Sequence, residues 1–325
     1  MITVYVLEKG CLRPAEISQS GILPQEAVWI DLLNPTREEK ITIERLIAID
    51  APTLEDMQEI EPSSRIYQEG EARFMTATVA AKAETETPIS AAITFIRTGR
   101  ILVTLRYEDP KPFQTFASRA VRHPGLAMNA DMALIGLLDA IIDRSADLIE
   151  KTVSELDTMS REIFSSRVGA SSQRTDFEGV VRKLGRTDDV VSKVKDSMSS
   201  VIRVVTYLTQ AAGEEKGNKQ YKLRLKSLSR DALSLNEHAS FIAHKINFLL
   251  DATLGLINIQ QTAIIKIFSV AAVVFLPPTL IASIYGMNFE IMPELKWDFG
   301  YLWALALMVV SAILPYWYFK RRGWL

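Results

Sequence analysis

The chain has 325 residues, which is enough for two domains or for one domain with a membrane anchor. Apolar residues make up 48% of the sequence and the formal net charge is −2, so a disordered chain and a basic nucleic-acid-binding protein are both excluded. The only cysteine, Cys11, can form neither an intrachain disulfide nor a thiolate metal cluster, which is typical of a reducing compartment. The N-terminal residues lack the basic and apolar regions of a cleaved signal peptide, and we expect none.

Proline placement separates an N-terminal region from a long helical one. Nine of the thirteen prolines lie at or before Pro124, and none lies in the following 152 residues, so helices are expected there. Residues 1–124 are predicted to form a small α/β domain with a helix at Thr36–Ile49, which Asn34 or Thr36 would cap. The predicted strands are Val28–Leu32, Ala72–Ala81, Ala91–Thr98 and Ile101–Arg106, with a hairpin turn at Gly99-Arg100 between the last two.

This N-terminal region contains no set of residues suited to catalysis. It has no glycine-rich phosphate loop, no Ser/His/Asp combination and no histidine pair at metal-ligand spacing. The three histidines, His123, His238 and His244, are scattered, and we interpret each of them as structural. We therefore predict that the protein is not an enzyme and has no cofactor.

Three helices are predicted after the N-terminal domain. Two of them fall within residues 129–213, and the third runs from about Lys219 to Tyr285. Apolar residues recur along the third helix in alternate steps of three and four, the 3.5-residue period of a helix packed on partner helices. The partners are either helices of the same chain or other copies of it, and the pattern favours neither. This seam consists of Leu225, Leu228, Ala232, Leu235, Ala239, Ile242, Ile246, Leu249, Thr253 and Leu256.

Two stretches near the C-terminus are predicted to cross a membrane. Ile267–Tyr285 and Tyr301–Phe319 each have nineteen residues without a charge, long enough to span a hydrocarbon core of about 30 Å. Lys266 precedes the first span and Lys320-Arg321-Arg322 follows the second, and basic flanks remain on the cytoplasmic side. Both termini are therefore predicted to be cytoplasmic. The connecting turn, with Glu290, Glu294 and Asp298, is predicted to lie outside.

The first span is more polar than the second. Hydroxyl residues interrupt it, and Pro277-Pro278 would release carbonyl groups from the helix ladder. Because lipid satisfies no such group, these residues should face protein or water. Several copies that offer their first spans to a common axis would provide a polar interior, and a dimer interface built from small and polar residues is the alternative. The hydroxyl residues are Thr262, Ser269, Thr279 and Ser283.

The turn between the spans begins with Gly286-Met287-Asn288 and continues with Met292-Pro293-Glu294-Leu295. On its own, Gly-Met-Asn is a weak family signal, because Gly286 could be an ordinary helix C-cap. Together with the continuation and the terminal Lys320-Arg321-Arg322, it resembles the CorA family of magnesium transporters, and most of all its proteobacterial type. Fainter similarity extends over most of the chain.

The resemblance implies a fold and a partner. It implies an α+β cytoplasmic domain followed by a long stalk helix and two transmembrane helices, assembled as a homopentameric funnel in the bacterial inner membrane. We accordingly divide the chain, by residue number, into an α/β domain (1–124), a helical hairpin (125–218), a stalk helix (219–266), a pore-lining first span (267–285), a periplasmic turn (286–300), a second span (301–319) and a basic tail (320–325).

The resemblance also implies a function, which is uptake of Mg²⁺, with Co²⁺ or Ni²⁺ carried less well, under control of cytoplasmic Mg²⁺. The implied selectivity filter is Gly286, Met287 and Asn288, with Asn288 holding hydrated Mg²⁺. Gate residues are implied at Ile265 and Leu276. The predicted pore-lining residues, at helical steps, are Thr262, Ile265, Ser269, Ala272, Leu276 and Ser283.

Two departures from the family pattern concern the pore and the second span. Thr262 stands where the most similar family members carry asparagine, and Leu302 stands where a proline is usual. The family's regulatory carboxylates cannot be assigned, since the acidic pairs Glu55-Asp56 and Asp188-Asp189 match no motif and are interpreted as solvated faces. The alternatives are a zinc transporter of the ZntB branch, against which Glu290 and Glu294 count, and a membrane-anchored structural or signalling protein that carries no ion.

Overall fold

A computed structural model describes residues 1–15, 23–59, 61–165, 176–214, 219–288, 292–293 and 297–323. These residues belong to two compact units. The first comprises Met1–Ser165 and Glu178–Leu250, and the second contains the described residues from Asp251 onward. The division of the chain into seven functional segments stays a prediction.

The first unit is built on a mixed sheet of seven strands. In chain order they are β1 (Ile2–Glu8), β2 (Cys11–Ala15), β3 (Ala27–Leu33), β4 (Ile66–Glu69), β5 (Ala72–Ala81), β6 (Ile89–Thr98) and β7 (Ile101–Arg106). Their order across the sheet is β2-β1-β3-β7-β6-β5-β4. Among the strands that the structure describes, only β3 and β7 pair in parallel, with Trp29 opposite Leu102 and Leu33 opposite Arg106. The other pairs are antiparallel.

Helices cover both faces of this sheet. Its first face packs against α1 (Arg37–Ile47), α2 (Leu54–Gln58) and α3 (Pro62–Arg65), and its second against α4 (Lys111–Arg122) and α5 (Ala130–Ser165). Alternate residues of β3 therefore enter different cores. Ile30 and Leu32 pack with Ile43 of α1 and Met57 of α2, whereas the Trp29 ring lies 5.6 Å from that of Phe116 in α4. Burial on both faces explains why β3 is apolar almost throughout.

The start of α1 distinguishes between the two predicted caps. Thr36 is the N-cap, since its side chain accepts a hydrogen bond from the Glu39 amide while the Glu39 carboxylate accepts one from the Thr36 amide. Asn34 instead has a φ of 42° and donates its amide to the Arg106 carbonyl oxygen, which continues the pairing of β3 with β7. The predicted strands and the Gly99-Arg100 turn are confirmed.

The remaining long helices of the first unit are α5, α6 (Phe177–Glu214) and the N-terminal part of α7 (Lys219–Tyr285). The hydroxyl of Ser200 in α6 bonds to both the amide and the carbonyl of Thr78, each at 2.9 Å, and so ties α6 to β5. Lys245 of α7 pairs with Asp157 of α5 at 2.6 Å. Residues of the predicted seam are buried within this single chain, namely Leu225, Leu228, Ala232, Ala239, Ile242, Ile246 and Leu249. Packing on helices of the same chain therefore accounts for this part of the seam.

The described part of the second unit is mainly two helices. They are the C-terminal part of α7, which ends at Tyr285, and α8 (Gly300–Arg321). The predicted limits of the third helix, Lys219 and Tyr285, are confirmed. The helix continues through Pro277 and Pro278 without a break.

Candidate ion-conduction site

Both helices of the second unit are long and apolar enough to cross a membrane. Only 6% of the most apolar eighteen-residue stretch of each is buried. The core helix of a soluble protein would be mostly buried, so that interpretation does not fit either helix. Side chains as large as Phe268 and Phe275 are 71% and 69% exposed. Lipid or other protein chains must cover such a surface.

The Gly-Met-Asn segment lies directly after the last turn of α7. The Gly286 amide donates to the Ala282 carbonyl at 3.0 Å, and the Met287 amide donates to the Ile284 carbonyl at 3.3 Å. Gly286 is not one of the glycines with positive φ, so it is not a left-handed helix cap. A Cβ atom at this position would instead lie 3.1 Å from the Ala282 oxygen. A larger residue at this position would require the Ala282 carbonyl to shift by a few tenths of an ångström.

Asn288 follows at the exposed end of this segment. Both Met287 and Asn288 are exposed, so the Asn288 side chain is accessible to solvent. Of the predicted acidic turn, Asp298 is exposed, whereas Glu290 and Glu294 lie outside the described residues. Of the residues predicted to surround the outer end of the pore, Asn288 and Asp298 thus lie on the accessible surface.

The predicted pore-lining residues share one exposed side of α7. All six of them are exposed: Thr262, Ile265, Ser269, Ala272, Leu276 and Ser283. They recur at steps of three and four residues, apart from one step of seven, which keeps them on one side of a helix. From Thr262 to Ser283 the helix rises about 30 Å, which matches the thickness of a hydrocarbon core. Hydroxyl groups and apolar side chains thus alternate along one side of a membrane-length helix.

Hydroxyl groups on α7 bond partly to their own helix. The Thr262 hydroxyl donates to the Asn258 carbonyl and the Thr279 hydroxyl donates to the Phe275 carbonyl, both at 2.8 Å. These bonds use the hydroxyl protons and leave the oxygen lone pairs free to accept. The exposed hydroxyl of Thr262 can therefore accept a hydrogen bond from the water shell of a cation, but it extends less far than an amide.

One residue on this side of the helix was not predicted from the sequence. Asn258 is exposed and lies four residues before Thr262, so it occupies the same side one turn earlier. Its side chain ends in an amide carbonyl, a hydrogen-bond acceptor that extends farther from the helix than the Thr262 hydroxyl. The signal that could have revealed it is the four-residue step back along the helix.

The acidic pairs in the first unit have separate surroundings. Asp56 closes a capping box with Thr53, and hydrogen bonds from the Thr53 side chain and amide lower the pKa of Asp56. Asp188 and Asp189 are exposed on α6. Among the described residues, no group of three or more His, Cys, Asp or Glu side chains is arranged to hold a metal ion.

Comparison with known proteins places this architecture in a family. A family model described as CorA-like Mg²⁺ transporter protein matches residues 24–321. The magnesium transport protein CorA of Salmonella typhimurium and that of Escherichia coli K12 are each 34% identical over the full length of both chains. The complete structure of the CorA magnesium transporter from Methanocaldococcus jannaschii covers all of this chain and 99% of its own, with a TM-score of 0.75 and 18% identity.

The structural match confirms the predicted order of an α+β domain, a long helix and a second helix. The family is one of ion transporters, in agreement with the prediction that the chain is not an enzyme. The chain belongs to the CorA family.

Proposed function

We propose that the protein transports Mg²⁺ across the bacterial inner membrane as a homopentamer. The observation that carries the proposal is the row of hydroxyl residues on the exposed side of α7, between otherwise apolar and exposed surfaces. The names of the 34% identical relatives, magnesium transport protein CorA, support Mg²⁺ as the ion. Membership of the same family supports passage of the ion through the membrane.

The polar side of α7 needs more than one chain to cover it. Two helices alone leave Thr262, Ser269 and Ser283 exposed. The Thr262 hydroxyl donates to the Asn258 carbonyl of its own helix, but lipid offers no donor to the oxygen lone pairs of these hydroxyl groups. Five copies with α7 around a common axis would turn these side chains toward a water-filled path, with α8 toward lipid. Each copy would contribute the same residue to a ring at each level.

Asn288 is proposed to form the outermost ring. Mg²⁺ sheds its water reluctantly and is often bound through that shell. Neutral amide oxygens can accept hydrogen bonds from the shell, and they bind the ion weakly enough for it to leave. Asp298, with Glu290 and Glu294 in the same turn, would raise the local cation concentration at the mouth.

The proposed orientation places both termini in the cytoplasm. Lys266 and the Lys320-Arg321-Arg322 group are exposed at the ends of the two spans that would face inside. An inside-negative potential then drives entry by about 2.3 kcal/mol per charge for each 100 mV, and by about twice that for a divalent ion. Cytoplasmic Mg²⁺ would close the pore, and Co²⁺ and Ni²⁺ would be carried less well.

Reconstitution tests the proposal and its two alternatives together. The purified full-length protein would be placed in liposomes that contain a Mg²⁺- or Zn²⁺-sensitive dye, with an imposed inside-negative potential. Potential-dependent Mg²⁺ entry that exceeds Zn²⁺ entry is the expected result. Preferential Zn²⁺ entry would favour the ZntB alternative, and no entry of either ion would favour a non-transporting membrane anchor.

A further inference from the structure

The C-terminal end of α8 carries three consecutive basic residues, two of which are held against aromatic rings. The guanidinium carbon of Arg321 lies 5.3 Å from the centroid of the Trp317 ring, and that of Arg322 lies 5.5 Å from the centroid of the Tyr318 ring. Each pair is four residues apart, so each arginine lies one turn beyond its ring. Cation–π attraction keeps both guanidinium groups on the sides of the helix.

The backbone also fixes this end of the helix. The Arg322 amide donates to the Tyr318 carbonyl at 3.1 Å, and the Gly323 amide donates to the Lys320 carbonyl at 3.2 Å. Gly323 has a φ of 71°, the left-handed conformation that ends a helix. Arg321 and Arg322 therefore project from an ordered last turn, and both are exposed. Because α8 contains no Asp or Glu, the basic group has no carboxylate partner within its own helix.

We propose that Arg321 and Arg322 each bind the phosphate of an anionic phospholipid headgroup. The guanidinium is a planar fork of donors that matches a phosphate in two-point geometry. The rings of Trp317 and Tyr318 are 57% and 51% exposed and lie at the end of an apolar helix. The membrane placement of the proposed function puts them at the level where headgroups meet acyl chains. A free phosphate ion would have no contact with those rings. A lipid brings both its phosphate and its chains to this surface.

The two sites are separate and their effects should add. Positions 321 and 322 differ by about 100° around the helix, so the two guanidinium groups face different lipids. A basic residue near an anionic surface contributes about a fivefold preference for anionic lipid at its own site. Because the two sites bind different lipids, the ratio of bound lipids is also about fivefold with both sites present and about twofold with one of them lost. This inference depends on the membrane placement of α8 in the proposed function and is independent of which ion is transported.

The test measures lipid binding by the full-length protein. Mixed micelles with equal amounts of phosphatidylglycerol and phosphatidylcholine would be offered to the protein, and the ratio of bound lipids would be measured by native mass spectrometry. We expect the wild type to favour phosphatidylglycerol about fivefold, Arg321→Gln and Arg322→Gln each to lower that preference to about twofold, and the double variant to remove it. An excess of inorganic phosphate should leave the preference unchanged.

A double variant that conserves the charge keeps the test decisive. Arg321→Lys with Arg322→Lys retains the charge but loses the fork, so we expect a preference between those of the wild type and the double glutamine variant. Full preference in the lysine variant would overturn two-point binding. Equal preference in the wild type and the double glutamine variant would overturn the site. Failure to bind either lipid would instead contradict the membrane placement of α8, which separates the two proposals.

Discussion

Arg106 and Asp31 form a buried ion pair across the only parallel strands of the described sheet, β3 and β7. The Arg106 Nε atom lies 3.0 Å from Asp31 Oδ1, and Nη2 lies 2.7 Å from Oδ2. Their side chains are only 6% and 7% exposed. Thr104 donates to the same carboxylate and accepts a hydrogen bond from the Trp29 indole. Burial tends to lower the pKa of Arg106, but bonds to Asp31 and Asp109 raise it above its usual value, so Arg106 remains charged.

Removal of Asp31 should therefore destabilise the first unit strongly. Asp31→Ala leaves the buried Arg106 guanidinium with Asp109 as its remaining carboxylate partner. We expect the free energy of unfolding to fall by about 3–5 kcal/mol. The measurement is denaturant unfolding of the full-length protein, followed by circular dichroism. The matched control is Glu178→Gln, which breaks an exposed pair with Arg182 at 2.9 Å and should cost about 0.5 kcal/mol or less. Equal effects of the two variants would show that the buried pair is not important.

Gly136 provides a second test, of the packing between α4 and α5. A Cβ atom there would overlap Cε2 of Phe116, a buried ring that also contacts Trp29. Gly136→Ala should lower stability by about 1–3 kcal/mol, because overpacking exceeds the gain in helix propensity. Gly185→Ala in α6 is the control, since nothing lies within 4 Å of its Cβ position. It should raise stability by about 0.5–1 kcal/mol. A stabilising Gly136→Ala would contradict the close contact.

Glu84 predicts a pH dependence. Its carboxylate pairs with Lys111 and, at 2.7 Å, with Arg144, and hydrogen bonds from these two residues lower the pKa of Glu84 from 4.5 to about 2. Because the pKa of Glu84 is lowered in the folded state, its ionised carboxylate stabilises that state at pH values above the ordinary pKa of 4.5. This contribution disappears as the pH falls toward about 2. Wild type should therefore melt at a higher temperature than Glu84→Gln at neutral pH, with the difference vanishing in acid.

The size of this effect is limited by solvent. The Glu84 side chain is 43% exposed, so a contribution of about 0.2–1 kcal/mol is expected, and high salt should reduce it. Glu86→Gln removes an exposed carboxylate from the same loop and serves as the control. A difference between wild type and Glu84→Gln that stays constant from neutral pH to acid would rule out the lowered pKa.

The proposed gate is tested at Leu276. Bulky apolar side chains can close a pore by excluding water, and Leu276 is 65% exposed on the side of α7 that carries the hydroxyl groups. Leu276→Ser should increase Mg²⁺ uptake at high internal Mg²⁺, because the closed pore would hydrate. Phe275→Ser changes the neighbouring residue, which is 69% exposed on a different side, and should not relieve inhibition. A lower oligomer yield, with inhibition by internal Mg²⁺ unchanged, would show that Leu276 packs between helices and does not close the pore.

Local sequence patterns predicted the elements that local physics determines. The β-branched runs gave β5 and β7 with their limits, and the unbroken apolar and amphipathic periodicity gave α7. The strands β1, β2 and β4 and the helices α2, α3 and α4 were not predicted. The strands β2 and β4 lie at the two edges of the sheet, where half-exposed and polar residues weaken the alternation.

Contacts between residues far apart in the sequence could not be predicted from local patterns. The sequence offered Asn34 and Thr36 equally as helix caps, and the choice depends on the bond from the Asn34 amide to Arg106. The Arg106–Asp31 pair joins residues 75 positions apart, and no periodic pattern indicates it. Within the candidate site, the side of α7 could be predicted because helical spacing is local. The space beside Gly286 depends on the position of the Ala282 carbonyl, which no local sequence pattern indicates.

The central claim is that Asn288 binds the hydrated ion at the mouth of the pore. Asn288→Ala would remove the amide from an exposed residue beyond the end of α7, so folding and assembly should not change. Phe299→Leu, at a 60% exposed residue before α8, is the control for a substitution in the same turn.

The decisive measurement is Mg²⁺ uptake into liposomes by Asn288→Ala, beside the oligomer mass of the same preparation. The account predicts no potential-dependent uptake from an oligomer of wild-type mass, with normal uptake in Phe299→Leu. Undiminished uptake by Asn288→Ala would contradict it.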